Sequence, residues 1–176
     1  LMDHGACPAL CYHCSAMPTL GILTSSDMGA RGEREDTSGS LIRELFTAQG
    51  FDILRYEVVP DERDILEDRL RRWADDDTLD LIVTTGGTGL TDRDVTPEAT
   101  LAVAHREVPG MAEAMRIQTL KYTPFAMVSR AVVAIRGRTL IINLPGSLKA
   151  VEQCLEVVMP VIPHTLEMLQ ETPPPH

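Results

Sequence analysis

Aromatic residues make up only 4% of this 176-residue chain, with three Phe, three Tyr and one Trp. Any core must therefore be built from aliphatic side chains. Long apolar runs are missing too. Nothing approaches the roughly 20 residues needed to span a bilayer, so no membrane role is expected. The chain does not open on a basic segment followed by an apolar stretch, so no secretory signal is expected. Cysteine is sparse: Cys7, Cys11 and Cys14 crowd one end, and Cys154 lies far away in a helical pattern. That spacing is no disulfide framework, and a reducing, cytoplasmic setting is expected. Positive charge is also short, with 16 Lys and Arg against 26 Asp and Glu, a net charge of −10. Nucleic acid wants a basic surface and is excluded as a partner. An anionic substrate would have to be met locally, by backbone N–H groups or a metal ion.

What is present suits one globular domain. Hydrophobic residues are 44% and charged residues 24% of the chain, the ordinary balance of a folded domain. Three segments are distinguished: an extension over 1–16, a domain over 17–170, and a Pro-rich tail over 171–176. The extension carries the three clustered cysteines with His4 and His13. Its C-x₃-C-x₂-C spacing resembles an iron–sulfur motif, and zinc would also suit such ligands. The chain that follows is committed to another fold. The extension is therefore expected to bind no metal and to be dispensable, a chain starting at Met17 behaving like the whole. The tail is expected to be loose.

Between these ends, strand and helix patterns alternate. Leu20 to Thr24, Ile53 to Val59 and Leu79 to Thr85 read as buried strands. Met28 to Asp36 reads as a charged loop. Leu41, Ile42, Leu45 and Phe46 mark a helix stopped by Gly50, and Ile65, Leu66, Leu70 and Trp73 mark another. A further helix is expected over about 110–120. Ala131 to Ile135 and Thr139 to Leu144 read as strands joined by Arg136-Gly137-Arg138. The last helical pattern carries Val151, Cys154, Leu155 and Val158, is interrupted at Pro160 and can restart at Pro163. This alternation predicts an α/β fold of three layers, α/β/α, around a mostly parallel central sheet. Ligands in such sheets bind beyond the carboxyl ends of strands. Ser25 to Asp27, Gly86 to Asp94 and Asn143 to Ser147 lie there.

The segment TTGGTGLTDRDVTPEAT, residues 84–100, is the most informative. A buried strand runs into glycines, then acids, then a helix start. Glycine lets backbone N–H groups turn toward a ligand, and a helix N-terminus adds aligned donors. Thr96 is expected to cap that helix through its hydroxyl, with Pro97 at the first helical position and Glu98 following. The loop is neither a Walker A loop nor a dinucleotide fingerprint. Taken alone, it divides evenly between a phosphate cradle and a tight connection. Asp94 beside such a cradle makes sense as a Mg²⁺ ligand, or as a turn residue. Asp61, in VPDE, sits where an N-cap belongs, and composition favours the cap over catalysis. Pro145-Gly146-Ser147, with Ser147 able to cap the next helix, reads in isolation as an ordinary turn. Ser26 and Asp27 share that ambiguity. His105, His164 and His176 have no partners at metal-ligand spacing.

Together these stretches resemble one family. GEREDTSG (32–39), VPDE (59–62), the 84–100 segment, PGMAEAM (109–115), SRAVVAIRGRTLIINLPGS (129–147) and PHTLEML (163–169) resemble the MogA/MoaB molybdopterin-binding family, including the gephyrin G domain. The resemblance covers about 18–169. It implies a molybdopterin-binding-domain fold and a homotrimer or a hexamer of stacked trimers. It also implies adenylyl transfer from Mg-ATP to the terminal phosphate of molybdopterin, with release of pyrophosphate. Other proteins of molybdenum cofactor biosynthesis would be its partners. The family's functional aspartates fall on Asp61 and Asp94, as catalytic groups and Mg²⁺ ligands. Its binding residues fall on Ser26, Asp27, Gly86, Gly87, Thr88, Gly89, Thr96, Pro97, Glu98, Pro145, Gly146 and Ser147. Two departures stand out: Met28 replaces the usual Arg, for which Arg31 or Arg34 can substitute, and Leu148 replaces Pro. The alternatives are a member that binds molybdopterin without transferring adenylyl, and a non-enzymatic assembly scaffold.

Overall fold

The computed structural model describes residues 17–171. The expectations for 1–16 and 172–176 lie outside the described residues. Strands β1 (Thr19–Ser25), β2 (Asp52–Val59), β3 (Leu81–Thr85), β4 (Arg106–Glu107), β5 (Val133–Arg136) and β6 (Thr139–Leu144) form one sheet in the order β2-β1-β3-β6-β5-β4. The first four in that order are parallel; β5 runs antiparallel to both neighbours. Helices cover both faces, which gives the expected three layers.

The layers follow from alternation along the strands. Leu20, Ile22, Leu81, Val83, Leu140 and Ile142 face α2 (Thr37–Ala48), α5 (Pro109–Thr119), α6 (Leu148–Val158) and α7 (Ile162–Glu171). Leu23, Ile82 and Ile141 face α3 (Arg63–Asp75) and α4 (Thr96–Val103). Both faces are buried, so these strands read as nearly continuous apolar runs. Gly21 is small because a Cβ there would come within 2.7 Å of Leu79 and Trp73. Asn143 is one of the polar residues in these strands: fully buried, it donates to the hydroxyls of Thr84 and Thr100, each at 2.9 Å.

Several local expectations are corrected. The supposed loop from Met28 to Asp36 opens with a single helical turn, α1 (Asp27–Ala30), capped by Ser26. Its last residue, Asp36, caps α2 by accepting from the Gly39 N–H. β3 starts at Leu81, because the Leu79 N–H turns back to the Trp73 carbonyl. Asp61 does not cap α3; Glu62 stands at that position without a side-chain capping hydrogen bond. Thr96 does not cap α4 either; Val95 does so by backbone alone. The short strand β4 and the 3-10 turn Pro124–Val128 have too little periodicity to be read from sequence. Gly50 (φ +84°) ends α2, and Gly137 (φ +57°) turns the β5–β6 hairpin, as expected.

The connection leaving β1 runs to β2 on one side, and the connection leaving β3 runs toward β4, β5 and β6 on the other. The carboxyl ends of β1 and β3 therefore flank a topological switch point, where crevices open in such sheets.

Candidate active site

The crevice at that switch point is a cleft of about 310 Å³, lined by Ser25, Ser26, Arg34, Ser38, Gly86, Gly146 and Ser147 among others. The glycine loop enters it at Gly86. Gly86 and Gly87 both have positive φ, +90° and +64°. A Cβ on Gly86 would lie 2.3 Å from the Ser25 carbonyl oxygen, and one on Gly87 would lie 2.3 Å from the Thr96 hydroxyl. Only glycine lets the loop pass so close to the end of β1.

Thr96 explains its own failure to cap. It is fully buried, and its hydroxyl donates to the Gly86 carbonyl at 2.9 Å, while its N–H donates to the Gly87 carbonyl. It pins the loop to α4. On the opposite side, the Thr85 hydroxyl donates to the Pro145 carbonyl at 2.7 Å and the Ser38 hydroxyl to the Gly146 carbonyl at 2.9 Å. The Ser147 hydroxyl accepts from the Ala150 N–H at the start of α6. The Pro-Gly-Ser turn is thus a rigid wall.

Asp61 and Asp94 approach the glycine loop from two sides. Asp61 accepts the Ser25 hydroxyl at 2.6 Å and the Asp27 N–H at 2.9 Å, while Asp27 accepts the Asp61 N–H at 3.0 Å. This reciprocal clasp joins the ends of β1 and β2. Asp61 therefore reaches the cleft through Ser25. Asp27 also holds Arg93 on both of its oxygens, and Arg93 pairs with Glu62 at 2.9 Å. The Arg93 guanidinium draws the Asp27 carboxyl below the usual carboxylate range. Asp27 is a strut between three loops and does not line the cleft.

Asp94 accepts the Thr91 N–H and hydroxyl on one oxygen, at 2.9 and 2.7 Å. Burial pushes its carboxyl up, but the Thr91 and Gly89 donors and the Arg130 charge outweigh burial and hold it below its ordinary 3.8. Gly89 is small here because a Cβ would meet the Asp94 carboxylate at 2.9 Å.

Sequence reasoning missed Arg130. Its guanidinium donates to the carbonyls of Gly89 and Asp94 and pairs with Glu98, and its N–H donates to the Thr88 carbonyl. One side chain thus closes the loop from Thr88 to Glu98. The second Glu98 oxygen is buried without a hydrogen-bond partner. Nothing local could flag Arg130, since its partners lie more than thirty residues away. Asp36 was also missed. It accepts from Thr24, Tyr56 and Gly39 at 2.6, 2.8 and 2.9 Å, and an acid just before the α2 pattern was the signal. Arg130→Ala strips donors from two loop carbonyls, so it is expected to cost about 1–3 kcal/mol. Arg130→Lys should recover only part, because an ammonium cannot reproduce the guanidinium fork. Urea unfolding measures both, and an unchanged midpoint for the alanine variant contradicts the clasp.

The two arginines named as substitutes for the missing one now separate. Arg31 is bound bidentately to Glu33 at the surface, whereas Arg34 lines the cleft. Among the described residues no three His, Cys, Asp or Glu gather as a metal site, and this includes His105 and His164. Among them, no helix is long and apolar enough to cross a membrane.

Comparison with known proteins agrees with this geometry. The family model described as "Probable molybdopterin binding domain" matches residues 21–164. The chain is 45% identical over 152 residues to a Helicobacter pylori protein named molybdopterin adenylyltransferase, covering 85% of this chain and 86% of that one. It is 42% identical over 142 residues to the protein of the same name in Escherichia coli K12, covering 79% of this chain and 72% of that one. The crystal structure of the molybdopterin biosynthesis enzyme MoaB of Thermus thermophilus superposes with a TM-score of 0.84 at 52% identity, over 90% of this chain and 100% of that one. A cleft lined by the left-handed Gly86, in a fold and sequence this close to those relatives, means that the chain belongs to the MogA/MoaB molybdopterin-binding family of molybdenum cofactor biosynthesis.

Proposed function

We propose that this chain transfers the adenylyl group of ATP to molybdopterin. The observation that carries the reading is the placement of Gly86 and Gly87 in left-handed conformation beside the cleft, with Asp61 and Asp94 on either side. Backbone and hydroxyl groups can hold phosphate there without a basic surface, which suits a chain of net charge −10. The names of the relatives at 42–45% identity support the same reaction.

In this reaction a terminal phosphate oxygen of molybdopterin attacks the α-phosphorus of ATP. The bond from that phosphorus to the bridging oxygen breaks, and pyrophosphate leaves with the bonding pair. Such transfer needs positioning and charge neutralisation more than covalent help. Mg²⁺ fits the oxygen-only donors offered here. Magnesium is usually held by one or two carboxylates together with substrate phosphates and water, so a cage of three protein ligands is not required. Each Asp61 oxygen takes one protein donor and keeps a lone pair for a ligand. Asp61 and Asp94 would hold the ion, which would draw charge off the phosphates. Arg34 supplies a cation at the cleft, and Ser25, Ser26, Gly146 and Ser147 orient the bound groups. The homotrimer or hexamer belongs to the same reading: Ile117, Leu120, Met127 and Val128 are exposed apolar residues that neighbouring copies would cover.

A second reading, molybdopterin binding without transfer, is kept because the 52% identity is to a protein named MoaB and not to one named adenylyltransferase. Pyrophosphate release on mixing the protein with molybdopterin and Mg-ATP separates the two. We expect release that depends on both substrates. Binding of both without release would leave only the second reading.

A further inference from the structure

Arg93 stands in the loop from β3 to α4, next to Asp94, and all three of its guanidinium nitrogens face carboxylate oxygens. Nε and Nη2 donate to the two oxygens of Asp27 at 3.1 and 2.8 Å, and Nη1 pairs with Glu62 at 2.9 Å. Among the described residues, no other side chain of this loop hydrogen-bonds to Asp27, Asp61 or Glu62. A guanidinium so engaged is committed to protein and is not waiting for a phosphate. Nor does it fasten the core: its side chain is 51% exposed, where ion pairs usually add little stability.

What Arg93 does join is the pair of aspartates. The turn from Thr91 to Asp94 is closed by the Asp94 N–H on the Thr91 carbonyl at 3.0 Å, and by the Thr91 N–H and hydroxyl on the Asp94 carboxylate at 2.9 and 2.7 Å. Arg93 and Asp94 therefore move as one piece. At the other end, Asp27 and Asp61 each accept the other's N–H, at 3.0 and 2.9 Å. An unbroken path thus runs from the Asp94 turn through Arg93 and Asp27 to Asp61. Two carboxylates that share a cation repel each other until it arrives, and magnesium tolerates little departure from octahedral geometry. A tie of this kind answers both needs.

We infer that Arg93 is a positioning residue: bridging Asp27 and Glu62, it holds the Asp94 loop at the distance from Asp61 at which both carboxylates reach one divalent cation. The inference rests on the proposed placement of Mg²⁺ between Asp61 and Asp94, and it does not depend on whether adenylyl is then transferred. Charge and position pull in opposite directions here. Taking a guanidinium away from beside two carboxylates would, by charge alone, tighten their grip on a cation. Losing the tie would loosen it.

Titration of the full chain with Mn²⁺, followed by the electron paramagnetic resonance of the free ion, reads the sign. Arg93→Gln is expected to weaken Mn²⁺ about tenfold, the usual scale for a residue that orients a metal's ligands, while the melting temperature falls by no more than a few degrees. Arg93→Lys keeps the charge and loses the fork, and should also weaken Mn²⁺, by less. Arg31→Gln removes an equal charge from the surface pair with Glu33 and should change nothing. The inference is overturned if Arg93→Gln binds Mn²⁺ as tightly as the wild type or more tightly, or if Arg31→Gln weakens it equally. Should Arg93→Gln not fold, Arg93→Lys decides alone, and wild-type affinity there overturns the inference. Asp94→Asn locates the ion. Unchanged Mn²⁺ affinity in that variant would sink the metal assignment and this inference together, whereas loss in Asp94→Asn but not in Arg93→Gln sinks the inference alone. Loss in both, with no pyrophosphate released by the wild type, would sink the transfer reaction and leave the role of Arg93 standing.

Discussion

Asp94→Asn is expected to slow pyrophosphate release by at least roughly a hundredfold, about 3 kcal/mol of transition-state stabilisation. The carboxylate stands beside the glycine loop, held by Thr91, and an amide of the same shape keeps an acceptor for Thr91 but loses the charge. Folding should survive, so the melting temperature should move little. Asp61→Asn should lower the rate to a similar degree by a different route. An amide oxygen can still accept the Asp27 N–H, but the amide nitrogen must then face Ser25, whose hydroxyl has to turn its proton away. The stability cost is small for that reason, and not because Asn replaces a helix cap. Wild-type turnover in either folded variant would sink the assignment. The Asp94 carboxyl is held below its ordinary 3.8. Its contribution to stability is therefore complete above that value, fading only as pH falls through the lower folded value. No loss of rate from Asp94 protonation is expected between pH 5 and 8, taking roughly that range as the ordinary stability optimum.

Gly86→Ala should be the most damaging single methyl in the site. At φ +90° the new side chain is strained, and its Cβ would stand 2.3 Å from the Ser25 carbonyl oxygen. Ser25 cannot retreat, because the next N–H, of Ser26, is bonded to Val59 of the neighbouring strand. The expected loss is at least about 3 kcal/mol of stability, or a displaced loop with pyrophosphate release abolished. Gly137→Ala is the control. Its φ is also positive, +57°, but nothing lies within 4 Å of the added Cβ, so only the conformational cost of about 1–2 kcal/mol remains. Equal urea midpoints for the two variants would show that the close approach at Gly86 carries no weight.

The sequence by itself determined the layers and the sheet end at which the crevice opens. Alternating apolar strands and helical stripes require two buried sheet faces, and polar segments after three strands must gather at one sheet end. Glycines at 86 and 87 announced a close backbone approach, and both proved left-handed. Tertiary structure decided which polar group each side chain serves. Asp61 and Thr96 both occupy positions where local pattern calls for a cap. Each instead bonds across the fold, Asp61 to Ser25 and Thr96 to Gly86, because a buried hydroxyl or carbonyl left unpaired costs more than a helix end open to water. Arg130 shows the same limit. Its partners Gly89, Asp94 and Glu98 come within reach only when β5 and β6 pair beside β3. Periodicity reports which face a residue buries, and it carries no record of what waits on that face from a distant part of the chain.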